Sequence, residues 1–490
     1  MALADYYGRG AQAASQVLAG FDAAAFEQHV RALEVGVAFG PDVVESTEGP
    51  ALLDLLVRLL ARFYPAVTFT APEGALRDSL AALARSINPQ IEISSAGRPR
   101  IGVVVGTQGQ AFRRSIFAGC DGWTGSAGTA GPLTTGASTE AVGAGIAACL
   151  ATALLFRVAV VGQRPRRATE TLDGALFGEI PTPRGGPFEA VLVGCGAIGN
   201  AVAWTMARSP DRGRLLLVDP EAIERSNLQR YVLAQRDDEA AAKVDVVRRF
   251  FSDAVRATAH RGDWQSLVAD RGYDQSNVAV ALDSAEDRRA VQASLPRTVV
   301  NGWTQPGDLG VSSHSVFGGD GACLACLYLP AGRGPNEDEI YARALGIPDR
   351  LADVRTLLHT EAAVGEALIA MIATALARPL EVLAPFSSRP IRDLYVRGIC
   401  GGEVLPLGST RSVRADVHVP LAHQSALAGV LLAARLTEAL RRGQPTMTHV
   451  TQLDVLRPIQ PYPTHAEAAR EGCICRDIDF VARYRSKWHV

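Results

Sequence analysis

The sequence predicts an α/β protein built on a mostly parallel sheet, and three observations carry that prediction. The segment "FEAVLVGCGAIGNAVAWTMARSPDRGRLLLVDP", starting at residue 188, reads strand, glycine turn, helix, strand. Its first strand, 188–193, is nearly all apolar, as a parallel strand covered on both faces should be. A later apolar run, "NVAVALD", ends at Asp283 and continues the alternation of strands and helices.

With 490 residues the chain exceeds one ordinary core, so several domains are expected. The apolar fraction is 48%, the charged fraction 20% and the net charge −2, which suits a globular protein and gives no electrostatic case for nucleic acid or an anionic membrane. No secretory signal is read at "MALADYYGRG", and a cytoplasmic location is expected.

Residues 1–185 form a first segment. A helical start and the apolar "ALLDLLVRLLARFY" lead to a strand, "RIGVVVG", and a Gly/Ser/Thr-rich loop is expected at 121–139. The run "AVGAGIAACLATALLF", 141–156, is too short to span a membrane and reads as a buried helix. "GEIPTPRGGP", 178–187, reads as a linker. Residues 186–334 carry the glycine-turn unit. Residues 335–400 begin as a helical insertion and end in the strand-like "IRDLYVRG"; residues 401–490 complete the chain. The small-residue helix predicted at 423–440 echoes the one at 141–156, which suggests a duplicated architecture whose first copy lacks a glycine phosphate loop.

Gly194, Gly196 and Gly199 form G-x-G-x-x-G between a strand and a helix, a Rossmann-like fingerprint. The helix start offers free N–H groups to an anion. Asp219 follows Gly199 by 20 residues, the offset of an acid that holds a ribose. A dinucleotide fold would share all of this. Asn227, Arg230 and Lys243 separate the two readings, because two cations and an amide donor suit a triphosphate better than a bridging pyrophosphate. Asp283, at a strand end beside phosphates, is placed to hold Mg²⁺. Each residue also has a plainer reading: a turn cap for Asn227, solvated charges for Arg230 and Lys243, a helix cap for Asp283.

"GCGAIG…LVDPEAIERSNLQR…K…ALDS" resembles the adenylation domain of ubiquitin-activating-type enzymes, a family that includes the ThiF-type adenylyltransferases. The resemblance is specific over about 188–330 and weaker over 390–485. It implies that Asp219 binds the ATP ribose, that Asn227, Arg230 and Lys243 bind the phosphates, and that Asp283 holds Mg²⁺. Tyr231 departs from the family, where glutamine often follows the arginine. The family pairs adenylation domains, so 1–185 is expected to be an inactive, degenerate adenylation-like half. Arg9, in "DYYGRGAQ", is the candidate arginine lent to the phosphates from an N-terminal helix.

Four of the eight cysteines fall in two pairs, Cys323/Cys326 and Cys473/Cys475. Two pairs of thiolates suit a closed tetrahedral Zn²⁺ site, with buried free thiols or a redox pair as the alternative. Cys149 and Cys195 read as packing residues, and Cys120 has no evident activating partner. Cys400, in "GICGGEV", lies where the resembled enzymes place a thioester cysteine.

The expected function is ATP-dependent adenylation of the C-terminal glycine of a ubiquitin-like protein. The resemblance extends to the activating enzymes of bacterial ubiquitin-like conjugation operons, some antiphage, so thioester formation on Cys400 and transfer to a conjugating-type enzyme are expected to follow. Homodimerisation is compatible with a fused pair. The alternatives are an adenylyltransferase for a sulfur-carrier protein, without a thioester step, and a dinucleotide-binding scaffold.

Overall fold

The structure, a computed structural model, describes the chain except residues 1–2, 19–20, 165–166, 176–181, 183–185, 306–307, 331–336, 401–418, 444, 446 and 460–462, and the side chains of 396, 399 and 400. Most of the 178–187 linker lies outside the described residues. The chain divides into two compact units.

The first unit comprises residues 1–7, 28–329 and 420–490 and holds two sheets. The first sheet is built from β1 (Glu34–Phe39), β2 (Ala66–Thr70), β3 (Glu92–Ser94), β4 (Ile101–Val105), β5 (Arg114–Asp121), β6 (Thr124–Gly128) and β7 (Thr169–Asp173). The second is built from β8 (Phe188–Val193), β9 (Gly213–Val218), β10 (Val255–His260), β11 (Asn277–Val280), β12 (Thr298–Gln305), β13 (Asp308–Ser313), β14 (His449–Leu453) and β15 (Thr464–Ala466).

Their orders are β3-β2-β1-β4-β5-β6-β7 and β10-β9-β8-β11-β12-β13-β14-β15. Counted within each sheet, the first seven strands follow one sequence of places. The pairs through the fifth strand are parallel and the later ones antiparallel in both. The small-residue helices occupy the same step, Val142–Ala159 between β6 and β7 and Ala422–Arg442 between β13 and β14. The duplicated architecture is therefore present in the backbone, where sequence similarity gave only a hint.

Both helices are long, yet almost every residue of each is buried. They belong to one apolar core that spans both sheets. Burial on all sides explains the lack of any polar stripe on Val142–Ala159, whose length and composition would otherwise suit a membrane. The two halves are also joined by ions. Asp54, on the helix Gly49–Leu60, accepts hydrogen bonds from the indole Nε1 of Trp204 (2.7 Å) and from Arg208 (3.0 Å), and pairs with Arg58 (2.9 Å). Burial alone would raise this carboxyl, but Arg58 and Arg208 hold it below the usual range.

Two expectations are corrected. The 121–139 stretch is not all loop: Thr124–Gly128 returns as β6 in a tight hairpin with β5. Its glycines fit there because β6 lies directly under Val142–Ala159. A Cβ at Gly125 would press within 2.5 Å of the Ala147 nitrogen. The strand-like "IRDLYVRG" is helical, as Ile391–Asp393 and a wider-wound turn Leu394–Cys400. Ile391 and Leu394, three residues apart, are both fully buried on one helical face, so the 3.6-residue period won over local strand propensity.

The second unit comprises residues 8–27 and 330–419, so it is wider than the expected 335–400 insertion and includes a stretch from the chain's beginning. Its own apolar core includes Tyr341, Leu345, Ile369, Ile372, Phe386, Ile391 and Leu394. Gln16 accepts a hydrogen bond from the Val419 N–H, tying the two pieces of this unit together.

Candidate nucleotide site

The glycine turn lies between β8 and the helix Ala197–Met206, with Gly196 as the residue before the helix. Gly194 has φ +93°, and a Cβ there would meet the Ala281 carbonyl oxygen. A Cβ at Gly199 would run into the Gly194 carbonyl oxygen, so helix and strand approach too closely for any side chain. Asn200 locks the turn. Its amide nitrogen donates to the carbonyls of Cys195 (2.8 Å) and Gly196 (3.0 Å), and its oxygen accepts from the Leu233 N–H (3.1 Å).

Asp219 follows directly on β9, so parallel pairing puts it at the same sheet edge as the glycine turn. Its carboxylate accepts from the Cys195 N–H (2.8 Å) and the Glu221 N–H (2.9 Å). Burial raises its pKa, opposed by Lys243 and those two N–H groups. Lys243 is also buried and pairs with the Glu221 carboxylate. Burial would lower this ammonium, but Tyr231, Asp219 and Glu221 push it up, so it stays charged.

Asn227 does cap a turn. Its oxygen accepts from the Glu224 N–H (3.0 Å) while the Glu224 side chain accepts in return. Its amide nitrogen has no protein partner among the described residues. Arg230 closes the short helix Arg225–Gln229, and its Nη1 is buried without a hydrogen-bond partner among the described residues. An orphaned guanidinium nitrogen is costly unless a ligand completes it. Asp283 lies three residues beyond β11 and is exposed. Helix capping falls to Ser284, which accepts from the N–H groups of Glu286 and Asp287, so Asp283 is not the cap. The buried Arg288 donates to Leu282 and Gly302 carbonyls and to Asn301, holding the segment before Asp283.

Arg9 and Cys400 lie in the second unit. Arg9, on the helix Tyr7–Ser15, donates to Gln12 (2.8 Å). Cys400 ends the turn Leu394–Cys400, and its side chain lies outside the described residues. Cys120, Cys149 and Cys195 are buried.

Cys323, Cys326, Cys473 and Cys475 converge, all four Sγ atoms lying within 4.8 Å of one another. Cys323 and Cys326 are 3.9 Å apart, and the cross pairs Cys323–Cys473 and Cys326–Cys475 are each 3.5 Å. Four thiolates around a tetrahedral zinc at 2.3 Å would be roughly 3.8 Å apart, so the set fits that ion. The Arg470 N–H points at the Cys326 Sγ (3.3 Å), and hydrogen bonds from the other three thiols hold Cys326 far below the usual thiol range.

Sequence reasoning missed Asn200, Glu221, Arg288, Arg58 and Arg62. Asn200 directly follows the third glycine. Arg58, on the helix Gly49–Leu60, and Arg62, just beyond its end, stand four apart in a largely apolar run, a pattern that marks buried cations with dedicated partners.

The ThiF family profile matches residues 187–459, and the profile of Prokaryotic E2 family C matches residues 38–161. The uncharacterized protein y4jF of Sinorhizobium fredii (strain NBRC 101917 / NGR234) is 39% identical over 513 residues, spanning 100% of this chain and 98% of that protein. Adenylyltransferase and sulfurtransferase MOCS3 of Mus musculus is 31% identical over 150 residues, which are 28% of this chain and only 31% of that protein. A solved structure of E. coli MccB with succinimide aligns at 14% identity over 58% of this chain and 65% of its own, with a TM-score of 0.34. The family match covers more than half of the chain and falls on the glycine turn, Asp219, Arg230, Lys243 and Asp283 together, so the chain belongs to the ThiF family of ubiquitin-activating-type adenylyltransferases.

Proposed function

We propose that this chain adenylates the C-terminal glycine of a ubiquitin-like protein, using ATP and Mg²⁺. The observation that carries the reading is the buried Arg230 Nη1, unpartnered among the described residues, with its guanidinium 5.6 Å from the ring of Tyr231, which stands over the glycine turn. A phosphate completes the guanidinium. Asp219 holds the ribose, the helix N-terminus and Asn227 meet phosphate oxygens, and Asp283 holds Mg²⁺, which would offset charge on the polyphosphate.

In the reaction a carboxylate oxygen of the carrier attacks the α-phosphorus. The bond from that phosphorus to the bridging oxygen of the β-phosphate breaks, and pyrophosphate leaves with its electron pair. Arg230 and Lys243 stabilise the charge that builds on the departing oxygens. The product, an acyl-AMP anhydride, is a far better acyl donor than the carboxylate. Attack by the Cys400 thiolate on the acyl carbon then expels AMP and leaves a thioester for a conjugating-type enzyme. Arg9 adds a further cation to the phosphates. Cys323, Cys326, Cys473 and Cys475 hold a structural Zn²⁺ that pins the C-terminal segment beside β13.

The first sheet serves as the inactive half of a fused pair, supported by its shared strand order. The match of residues 38–161 to a family named for prokaryotic E2 proteins offers a second reading, an acyl-carrying module. Such a module needs an accessible thiolate. Cys120 and Cys149, the cysteines of that stretch, are buried, and burial pushes both thiols up, which favours the inactive half.

Exchange of labelled pyrophosphate into ATP, with Mg²⁺ and a ubiquitin-like protein ending in glycine, tests the reading. Exchange is expected in the wild type and in Cys400→Ala, and is expected to fall at least a hundredfold in Lys243→Ala. A chain that binds NAD in preference to ATP and exchanges no pyrophosphate is a dinucleotide scaffold instead. If Cys400→Ala still yields conjugates normally, the pathway runs without a thioester on this chain, as it would for a sulfur carrier.

A further inference from the structure

Tyr231 is buried as a residue, with only 4% of its surface exposed, but its hydroxyl oxygen is not closed off and has no hydrogen-bond partner among the described residues. A tyrosine with a packed ring and an open polar tip is suited to meet a ligand. The hydroxyl stands over the glycine turn: a methyl group at Gly196 would lie 3.4 Å from it. Two cations lie over its ring, the Arg230 guanidinium carbon 5.6 Å and the Lys243 ammonium 5.4 Å from the ring centre. Both distances fit cation–π attraction.

The backbone holding this side chain is fixed from the other half of the first unit. The buried Arg62 donates to the carbonyls of Tyr231 (2.5 Å) and Ala234 (2.6 Å), and Arg58 donates to that of Val232 (3.0 Å). From the opposite side, Asn200 holds the Leu233 N–H and the glycine turn at once. The hydroxyl is thus positioned before any ligand arrives, at the place where the helix N-terminus receives an anion.

We infer that Tyr231 is a phosphate-binding residue. Its hydroxyl donates to a nucleotide phosphate oxygen at the glycine turn, while its ring keeps Arg230 and Lys243 facing the same phosphates. The inference rests on the ATP reading above. It gives the position after Arg230 a role that an apolar residue of the same shape cannot fill.

Tyr231→Phe tests it, because the ring, its packing and both cation–π contacts remain. Binding of Mg·ATP and of adenosine to the full chain is measured by calorimetry. The variant is expected to bind Mg·ATP roughly tenfold or more weakly, the effect of one lost hydrogen bond to a charged group, and adenosine as the wild type does. Unchanged Mg·ATP affinity overturns the inference and leaves the ATP reading intact. Equal weakening of both ligands shows a structural role and also overturns it. A wild type with no affinity for Mg·ATP removes both the reading and the inference.

Discussion

Each sheet of the first unit has a junction where its first strand hands over to a helix, and the two junctions solve one problem in opposite ways. After β8 come Gly194 at φ +93°, Gly196 facing the Tyr231 hydroxyl and a ten-residue helix. After β1 come Gly40 in extended conformation, Pro41 at the helix start and a helix of only five residues, Pro41–Glu45. In the first-turn position of that short helix, Asp42 accepts from the Thr107 N–H (2.7 Å) and hydroxyl (2.9 Å), at the end of β4. A carboxylate already occupies the place where an anion would otherwise bind, and it repels any phosphate that approaches. At the second junction the chain's own acid, Asp219, takes the Cys195 N–H from the neighbouring strand end, and no carboxylate lies within the first turn of the helix. The cations Arg230 and Lys243 follow in the next segment. One strand order therefore carries an open glycine turn in one half and an acid-filled turn in the other. The difference lies in a few residues at the turn, not in the topology.

The largest effect in this comparison is expected from Gly199→Val. Its side chain has no room against Gly194, so Mg·ATP binding should vanish, and overpacking should cost about 3 kcal/mol or more in denaturant unfolding. Retained binding would mean that the second junction does not depend on its tight turn.

Asp54→Ala comes next, because it cuts the link between the halves. Trp204, Arg208 and Arg58 would lose their shared acceptor, and unfolding stability should fall by about 3 kcal/mol. ATP affinity should fall with it if the first half supports the second; a stable variant would show that the apolar core and the hydrogen bonds from Arg58 and Arg62 to residues 231–234 suffice to join them.

The third effect depends on pH. His423 is buried on Ala422–Arg442 with its Nε2 unpartnered among the described residues, and burial and then Arg157 push its pKa down to about 3. The unfolded chain takes up this proton below about pH 6.5, whereas the folded chain resists until about pH 3. The stability is therefore full above pH 6.5 and is lost as pH falls. At pH 4.5 the loss from this group should be about 2–3 kcal/mol. His423→Phe should flatten this part of the acid limb in thermal unfolding; an unchanged limb would show that the imidazole reaches solvent.

The smallest effect belongs to Asp42→Ala. It should cost about 1 kcal/mol through Thr107 and leave Mg·ATP binding at the second junction unchanged. A gain of a second nucleotide site would show that the acid alone had closed the first junction.

Much of the site was legible because its chemistry is local. A glycine turn, an acid 20 residues on and the basic residues after it are fixed by spacing along one βαβ unit. The two cysteine pairs were legible from composition, although their convergence needed the fold. The 121–139 hairpin and the helical "IRDLYVRG" were misread, since what decided them was burial against a helix in one case and within a helical core in the other. The role of Arg62 lay beyond sequence reasoning for the same reason, because the carbonyls it holds are 169 and 172 residues away.

The sequence by itself determined the α/β class, the nucleotide turn and the set of charges that follows it, since these depend on neighbours along one strand and helix. Tertiary structure decided the common strand order of the two halves, the pinning of residues 231–234 from across the core and the position of the Tyr231 hydroxyl. Those depend on which distant backbone groups lie unpaired in a desolvated interior, and hydrogen bonds there are set by the packing of whole sheets.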